Sequence, residues 1–288
     1  MNYQMTHTNP QQIPIYLINL DNSPERLKAF EAETSHFGLQ FTRVSAVNSA
    51  EIPPDQADNL LSRRSGHLPL GKGEMGCFLS HQKVWDLIIS GNDEWAFVAE
   101  DDIHISNPDA FFSDMSWLPE DADIVKAETA RQLVTLSIQL HSTVDGHEIR
   151  QLQSYHGGSA GYFVSRTGAQ KLLASTQDKC DALDHVLFHT WIGIVQTLKV
   201  YQMDPAICVQ DYLLKGLQKK GFASTLNTDR STSRSEQGMV GKPKGLAKLW
   251  REISRPFTRL LRKLSVAIDN ARGVAVIKFI PFHGDSKR

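Results

Sequence analysis

Short apolar runs rich in strand formers alternate along this chain with stretches whose apolar residues recur at helical spacing. Ile13 to Leu20, IPIYLINL, predicts a first strand. Asn22-Ser23-Pro24 then turns the chain, with Ser23 as helix cap, Pro24 at the first helical position and Glu25 in the first turn. Leu27 and Phe30 ride that helix, and Phe41 to Val47 reads as a second strand. Residues 51–70, with Pro53-Pro54, Arg63-Arg64 and Pro69, predict a surface loop. From about Glu74 an apolar face at Met75, Phe78, Leu79, Val84 and Leu87 predicts a helix to about Ile89, stopped by Gly91-Asn92. Trp95 to Ala99 is the next strand.

The second half continues in the same idiom. Ala110 to Trp117 predicts a short helix, Asp123 to Lys126 a strand, and residues 128–150 one or two hairpin strands around Asp145-Gly146. Gly157 to Gly161 leads into a strand over Tyr162 to Ser165, and Arg166 opens a helix carrying Leu172 and Leu173. Val186 to Val195 reads as an apolar helix and Val200 to Val209 as a last short strand region. Strands alternating with helices predict an α/β sheet.

Candidate chemistry concentrates where the Trp95 strand ends. Glu100, Asp101 and Asp102 follow its apolar run without a break. Open α/β sheets place ligands at the carboxyl edge of their strands, and clustered carboxylates suit Mg²⁺ or Mn²⁺. A bare Glu-Asp-Asp also fits a simple acidic turn. Arg26, just past a strand tip, fits pairing with a phosphate or carboxylate, or a solvated helix position. Ser80-His81 and Cys77 fall in mid-helix, where structural roles are commoner. Small residues at Gly157–Gly161 permit close approach of backbone to a ligand.

Size and composition narrow the class. A chain of 288 residues can bury a full core in one large domain or two small ones. Cys77, Cys180 and Cys208 are isolated, which supports neither a disulfide framework nor a zinc motif and fits a reducing cytoplasm. Residues 1–12 are polar and lack the pattern of a signal peptide, and the longest apolar stretch, Gly273 to Phe282, is too short to span a membrane. From Gly241 onward twelve basic side chains face three acidic ones, leaving the rest of the chain at about −10. Leu246, Leu249, Trp250, Ile253, Phe257, Leu260, Leu261, Leu264 and Ile268 recur at helical spacing opposite Lys248, Arg251, Arg255, Arg259 and Arg262, with Pro256 as a kink. Such a basic amphipathic segment fits an anionic membrane surface, packing on the body, or a second subunit.

Four segments in order, IYLINLDNSPERL, GEMGCFLSH, FVAEDD and GGSAGYFVSRTGAQKLL, resemble glycosyltransferase family 25, which contains bacterial lipopolysaccharide and lipooligosaccharide galactosyltransferases and the related collagen galactosyltransferases. The resemblance covers about Pro14 to Gln210. It implies a Rossmann-like A-type glycosyltransferase fold, an α/β/α sandwich, with a UDP-sugar donor, UDP-galactose by habit, and transfer with inversion. The Asp-x-Asp-like motif falls on Glu100, Asp101 and Asp102. Asp102 is then the expected ligand of a divalent cation, Mn²⁺ or Mg²⁺, with Glu100 or Asp101 reaching the donor. Asn19 and Arg26 match the opening motif, as contacts to uracil or ribose and to the diphosphate. Glu74, Ser80 and His81 match the second motif, although mutual hydrogen bonding of Asn19, Glu74 and His81 at the sheet edge is an equal reading. Gly158 belongs to a run that brings backbone near the sugar. Asp184 sits where members carry an acid near a proline, here replaced by Cys180-Asp181-Ala182-Leu183, and is the candidate base, ahead of His185 and His81.

These readings divide the chain into an extended or disordered stretch over 1–12, a catalytic domain over 13–223, a Ser/Thr/Gly-rich linker over 224–243 and a basic amphipathic helical tail over 244–288. The expected partners are a UDP-sugar, a lipid-linked oligosaccharide acceptor and the anionic inner face of the cytoplasmic membrane through residues 244–268. The competing class is a non-catalytic nucleotide-sugar- or membrane-binding protein of the same fold. A nucleic-acid-binding reading conflicts with the acidic body.

Overall fold

The computed structural model describes residues 12–65, 70–189, 197–214, 221 and 275–287. In chain order it contains β1 (Ile15–Asn19), α1 (Pro24–His36), β2 (Thr42–Ser45), α2 (Pro54–Ser62), α3 (Lys72–Ser90), β3 (Trp95–Glu100), β4 (Ile103–Ile105), α4 (Asp109–Phe112), β5 (Ile124–Lys126) and β6 (Glu128–Thr129). There follow β7 (Leu133–Val144), β8 (His147–Leu152), β9 (Gly161–Ser165), α5 (Arg166–Ser175), α6 (Leu183–Phe188), β10 (Val200–Asp204), β11 (Cys208–Gln210) and β12 (Ala275–Phe279).

Nine strands form one mixed sheet in the order β12-β7-β8-β10-β5-β9-β3-β1-β2, and β4-β11-β6 form a small second sheet. The parallel trio β2-β1-β3 sends its carboxyl ends to one edge. Because β9 runs antiparallel to β3, its amino end and the glycines before it arrive at that same edge. Antiparallel pairing of β5 with β9 brings Lys126 there as well.

Helices cover both faces. Ala96 and Val98 join a core with Phe78, Val84 and Trp85 of α3 and Leu172 of α5, whereas Trp95, Phe97 and Ala99 join one with Phe30 of α1 and Phe111 and Phe112 of α4. A strand buried on both sides needs no polar alternation, hence the continuous apolar run in the sequence. The two-residue period still operates, so Glu100 continues the α3-facing row of Ala96 and Val98.

Three expectations are corrected. Pro54–Ser62 is a helix, not loop: Pro54 occupies its first turn, where a missing amide hydrogen is harmless, and Leu60 is buried. Pro205 lacks a ladder donor and divides the expected strand over Val200 to Val209 into β10 and β11. The last part of the expected helical tail is strand instead. Ala275–Phe279 is rich in β-formers and pairs antiparallel with β7, closing one edge of the sheet. Ile280 and Phe282 are buried behind it, and Asp285 pairs with Arg131 at 2.8 Å, so this stretch belongs to the body expected to end at residue 223. The linker over 224–243 and the amphipathic segment over 244–268 lie outside the described residues. Among those residues, no helix is long and apolar enough to cross a membrane.

Candidate active site

Three adjacent acids at the end of β3 point in different directions because the strand alternates and then turns. Glu100 faces α3, where its Oε1 lies 3.4 Å from His81 Nε2 and 3.9 Å from Cys77 Sγ. Asp101 faces α1 and accepts from Arg26 and from Asn19 Nδ2, both at 2.7 Å. Asp102 is held loosely: Arg26 stands 3.5 Å from one of its oxygens and Gln210 Nε2 3.4 Å from the other. The small sheet delivers Gln210 at the end of β11.

Electrostatics at this edge are unbalanced. Burial, reinforced by Glu128, Asp101 and Asp184, pushes Glu100 up to about 8 against the pull of Arg26. Burial and then Glu100 push Asp102 up to about 7. Asp101 is raised as well, since desolvation outweighs its bonds to Arg26 and Asn19. Acids crowded in this way gain most from an added cation.

Asn19 is buried, and its side chain is occupied: Nδ2 donates to Asp101 and to the Ser23 carbonyl, while Oδ1 accepts from Arg43 Nε at 2.8 Å. In this structure it fixes Asp101. Glu74 is buried and accepts from the Gly71 amide at 2.8 Å, capping the start of α3 rather than reaching a ligand. His81 Nδ1 shares a 2.9 Å hydrogen bond with the Tyr162 hydroxyl, to which Trp85 Nε1 also donates at 2.9 Å. Burial lowers His81 to about 3, so its approach to Glu100 is not an ion pair and the ring does not serve as a base near neutrality.

Asp184 does reach this edge, in the first turn of α6. Its Oδ2 accepts from the Tyr155 hydroxyl at 2.6 Å and from the Gly158 amide at 3.3 Å. Gly158 has a demonstrable packing role. Its φ is +82°, and a Cβ there would lie 2.4 Å from Glu128 Oε1. Gly158→Ala should therefore destabilise the fold by about 2–4 kcal/mol, combining left-handed strain with overpacking. Gly146→Ala, at φ +79° with open space around it, carries only the strain. Thermal unfolding of the two variants should separate them, and equal losses would contradict this packing account.

Several members of the site were not legible in the chain. Glu128 is fully buried, with Oε2 accepting from Ala160 N at 2.9 Å and from Lys126 Nζ at 3.2 Å. An acid just beyond a strand end, as in Lys126-Ala127-Glu128, was its sole sequence signal. Tyr155 and Gln210 enter from loop and edge positions with no local pattern. A cavity of about 260 Å³ lies beside the acids, lined by Ile18, Arg26, Cys77, His81, Glu100 and Asp101 among others. A polar groove of about 620 Å³ adjoins it through Leu20, Ala46, Val47 and Asn48.

Known proteins resemble this chain over most of its length. It is 27% identical to "Lipooligosaccharide biosynthesis protein lex-1" of Haemophilus influenzae over 226 residues, 73% of each chain. It is also 27% identical to "Lacto-N-neotetraose biosynthesis glycosyltransferase LgtE" of Neisseria meningitidis, covering 92% of this chain and 99% of that one. Among solved structures, a glycosyltransferase involved in glycosylation of the major capsid of PBCV-1 aligns with a TM-score of 0.39 at 11% identity, over 71% of this chain and 95% of that one. The family model described as glycosyltransferase family 25 (LPS biosynthesis protein) matches residues 12–187. The four motifs gathered around the acidic sheet edge are thus those of a known group of sugar transferases, and the chain belongs to glycosyltransferase family 25.

Proposed function

We propose that this protein transfers a hexose, galactose in the first instance, from a UDP-sugar with inversion onto a saccharide acceptor of lipooligosaccharide or lipopolysaccharide. The observation that carries this reading is the convergence of Glu100, Asp101, Asp102 and Asp184 on one sheet edge beside a cavity and a polar groove. The names of the lex-1 and LgtE relatives support the acceptor class.

By ligand type alone, the donor set would suit a divalent cation. It consists of hard carboxylate oxygens, two of them held by burial and mutual repulsion at about 7 and about 8. Asp102, whose nearest side-chain partners stand 3.4 and 3.5 Å away, would hold the ion, with Glu100 turned to the donor. Bound there, Mn²⁺ or Mg²⁺ supplies charge stabilisation for the departing diphosphate. Arg26, held at the cavity wall by Asp101, adds a fixed positive charge for the same phosphates. Asn48, Gln82 and Lys83 give the adjoining groove donors and acceptors for a nucleoside.

Asp184 acts as the base. Hydrogen bonds from Tyr155 and the Gly158 amide orient its carboxylate. The acceptor hydroxyl oxygen bonds to the anomeric carbon as the bond from that carbon to the diphosphate oxygen breaks. Its proton passes to Asp184, and the electron pair of the broken bond leaves with UDP. Residues 244–268, through their basic and apolar faces, would hold the enzyme on an anionic inner membrane next to a lipid-linked acceptor.

The test is turnover of UDP-galactose and UDP-glucose with a truncated lipooligosaccharide acceptor and Mn²⁺, with the product's anomeric configuration read by NMR. Formation of a β-galactoside, abolished by chelator, is expected. UDP-glucose used in preference to UDP-galactose, or an α-linked product, would overturn the donor or the stereochemical assignment.

Proton linkage supplies a second test. Glu100 and Asp102 carry folded-state values above their ordinary 4.5 and 3.8, so their contribution to stability is full below those values and is lost as pH rises through about 7 and about 8. Metal-free protein should therefore lose stability across that range, less so as Glu100→Gln. Stabilisation by Mn²⁺ should be larger at pH 8 than at pH 6. Melting curves with an equal Mn²⁺ effect at both pH values would contradict the assignment of the ion to these acids.

A further inference from the structure

We infer that Cys77, His81 and Glu100 form a site for a thiophilic divalent cation, Zn²⁺ in kind, on the wall of the donor cavity and distinct from the Asp102 position. Cys77 and His81 stand four residues apart on α3 and so share one helix face. The adjacent face of α3 is pinned against the loop that follows β2. A Cβ on Gly76 would meet the Val47 carbonyl at 2.7 Å, and Ser80 Oγ accepts from the Val47 amide at 2.8 Å. The period of β3 aims Glu100 at the same spot from the opposite side.

The geometry is close to that of a tetrahedral metal site. One ligand atom from each of the three side chains lies within 4.8 Å of the other two. The His81–Glu100 and Cys77–Glu100 separations are 3.4 and 3.9 Å. Ligand edges around tetrahedral zinc, built from the usual bond lengths, are about 3.3–3.6 Å. Only a few tenths of an ångström of closure is needed on these two edges.

His81 Nε2 gives the independent observation. The ring is fully buried, and among the described residues this nitrogen makes no hydrogen bond although Glu100 Oε1 lies 3.4 Å away. Buried polar atoms are nearly always satisfied, so an orphan facing a carboxylate and a thiol calls for a partner. The other nitrogen is bonded to Tyr162, itself fixed by Trp85, an arrangement that orients a ligating imidazole. In the tautomer with the proton on Nδ1, the Nε2 lone pair is free to ligate.

The ligand types select the ion. Thiolate and imidazole with a single carboxylate suit Zn²⁺, whereas oxygen-only sets suit Mg²⁺ and Mn²⁺. Binding takes Cys77 as thiolate and Glu100 as carboxylate and releases both protons to solvent. A dication then balances the thiolate and one carboxylate, which a half-buried wall tolerates. The fourth position opens to the cavity. Zn²⁺ here would hold Glu100 away from the donor and inhibit transfer, a consequence that rests on the proposed role of Glu100; the binding itself does not.

The test is titration of the full-length, metal-free protein with Co²⁺, a spectroscopic stand-in for Zn²⁺, followed through thiolate-to-cobalt charge-transfer absorption. One equivalent with a single-thiolate band, displaced by Zn²⁺, is expected. The band should vanish in Cys77→Ser, weaken at least about tenfold in affinity in Glu100→Gln, and persist in Cys180→Ser and Cys208→Ser. No band in the wild type, or a band that survives Cys77→Ser, would overturn the inference. A wild-type band in a protein that binds no UDP with Mn²⁺ would sink the donor reading while leaving this one standing. UDP binding without the band would do the reverse.

Discussion

Asp102→Asn should lower sugar transfer by about three orders of magnitude while leaving the fold intact, because it removes the charge on which the cation depends. The amide keeps the volume of the side chain, and the contacts it replaces are long, 3.4 Å to Gln210 and 3.5 Å to Arg26. Burial already disfavours this carboxylate's charge. The variant should accordingly melt no lower than the wild type, and slightly higher above pH 7. This pairing of lost activity with unchanged stability distinguishes Asp102 from Asp101, whose 2.7 Å bonds to Asn19 and Arg26 hold the edge together. Transfer and thermal unfolding measured on the same preparations check both halves, and activity within tenfold of wild type would remove Asp102 from the site.

Asp184→Asn should reduce kcat by about 10²–10⁴ with a small change in donor KM, the signature of losing a base that acts only on the acceptor proton. An asparagine oxygen can still accept from Tyr155 and from the Gly158 amide, so the local turn should survive. Hydrolysis of the donor by water should fall less than transfer to the acceptor, since water is not held by the saccharide contacts. A near-normal kcat with a raised acceptor KM would make Asp184 a binding residue and leave the base elsewhere on the rim.

How much of this was legible in the chain depends on the range of the interaction concerned. Glu100, Asp101 and Asp102 announce themselves because adjacent acids after an apolar run are a local pattern, and sheet topology then fixes where they go. Asn19 and Arg26 were legible as members of the same edge but not in their roles. Their bonds to Asp101 span 82 and 75 residues, and no window of sequence contains both partners. Glu74 and His81 show the converse. Both read as candidates for the site, yet burial turns one into a helix cap and keeps the other neutral.

Element errors have similarly physical origins. Pro53-Pro54 resembled a loop signal, although proline in the first turn of α2 is compatible with a helix that buries Leu60. Gly273 to Phe282 falls within the stretch whose basic and apolar spacing predicts a helical tail. Its β-branched residues instead complete the ladder of β7, a partner more than a hundred residues away. Glu128 gives no local sign of its role although the strand before it is legible, because its bond to the Ala160 amide spans 32 residues.

The central claim is that the acids ending β3 hold a metal-bound nucleotide. Calorimetric titration of UDP into wild-type protein and Asp102→Asn, each with Mn²⁺ and with chelator, tests it most directly. The account predicts binding by the wild type with Mn²⁺, and its loss or severe weakening both on chelation and in the variant. UDP binding of equal strength in all four experiments would place the nucleotide away from these acids and contradict the account.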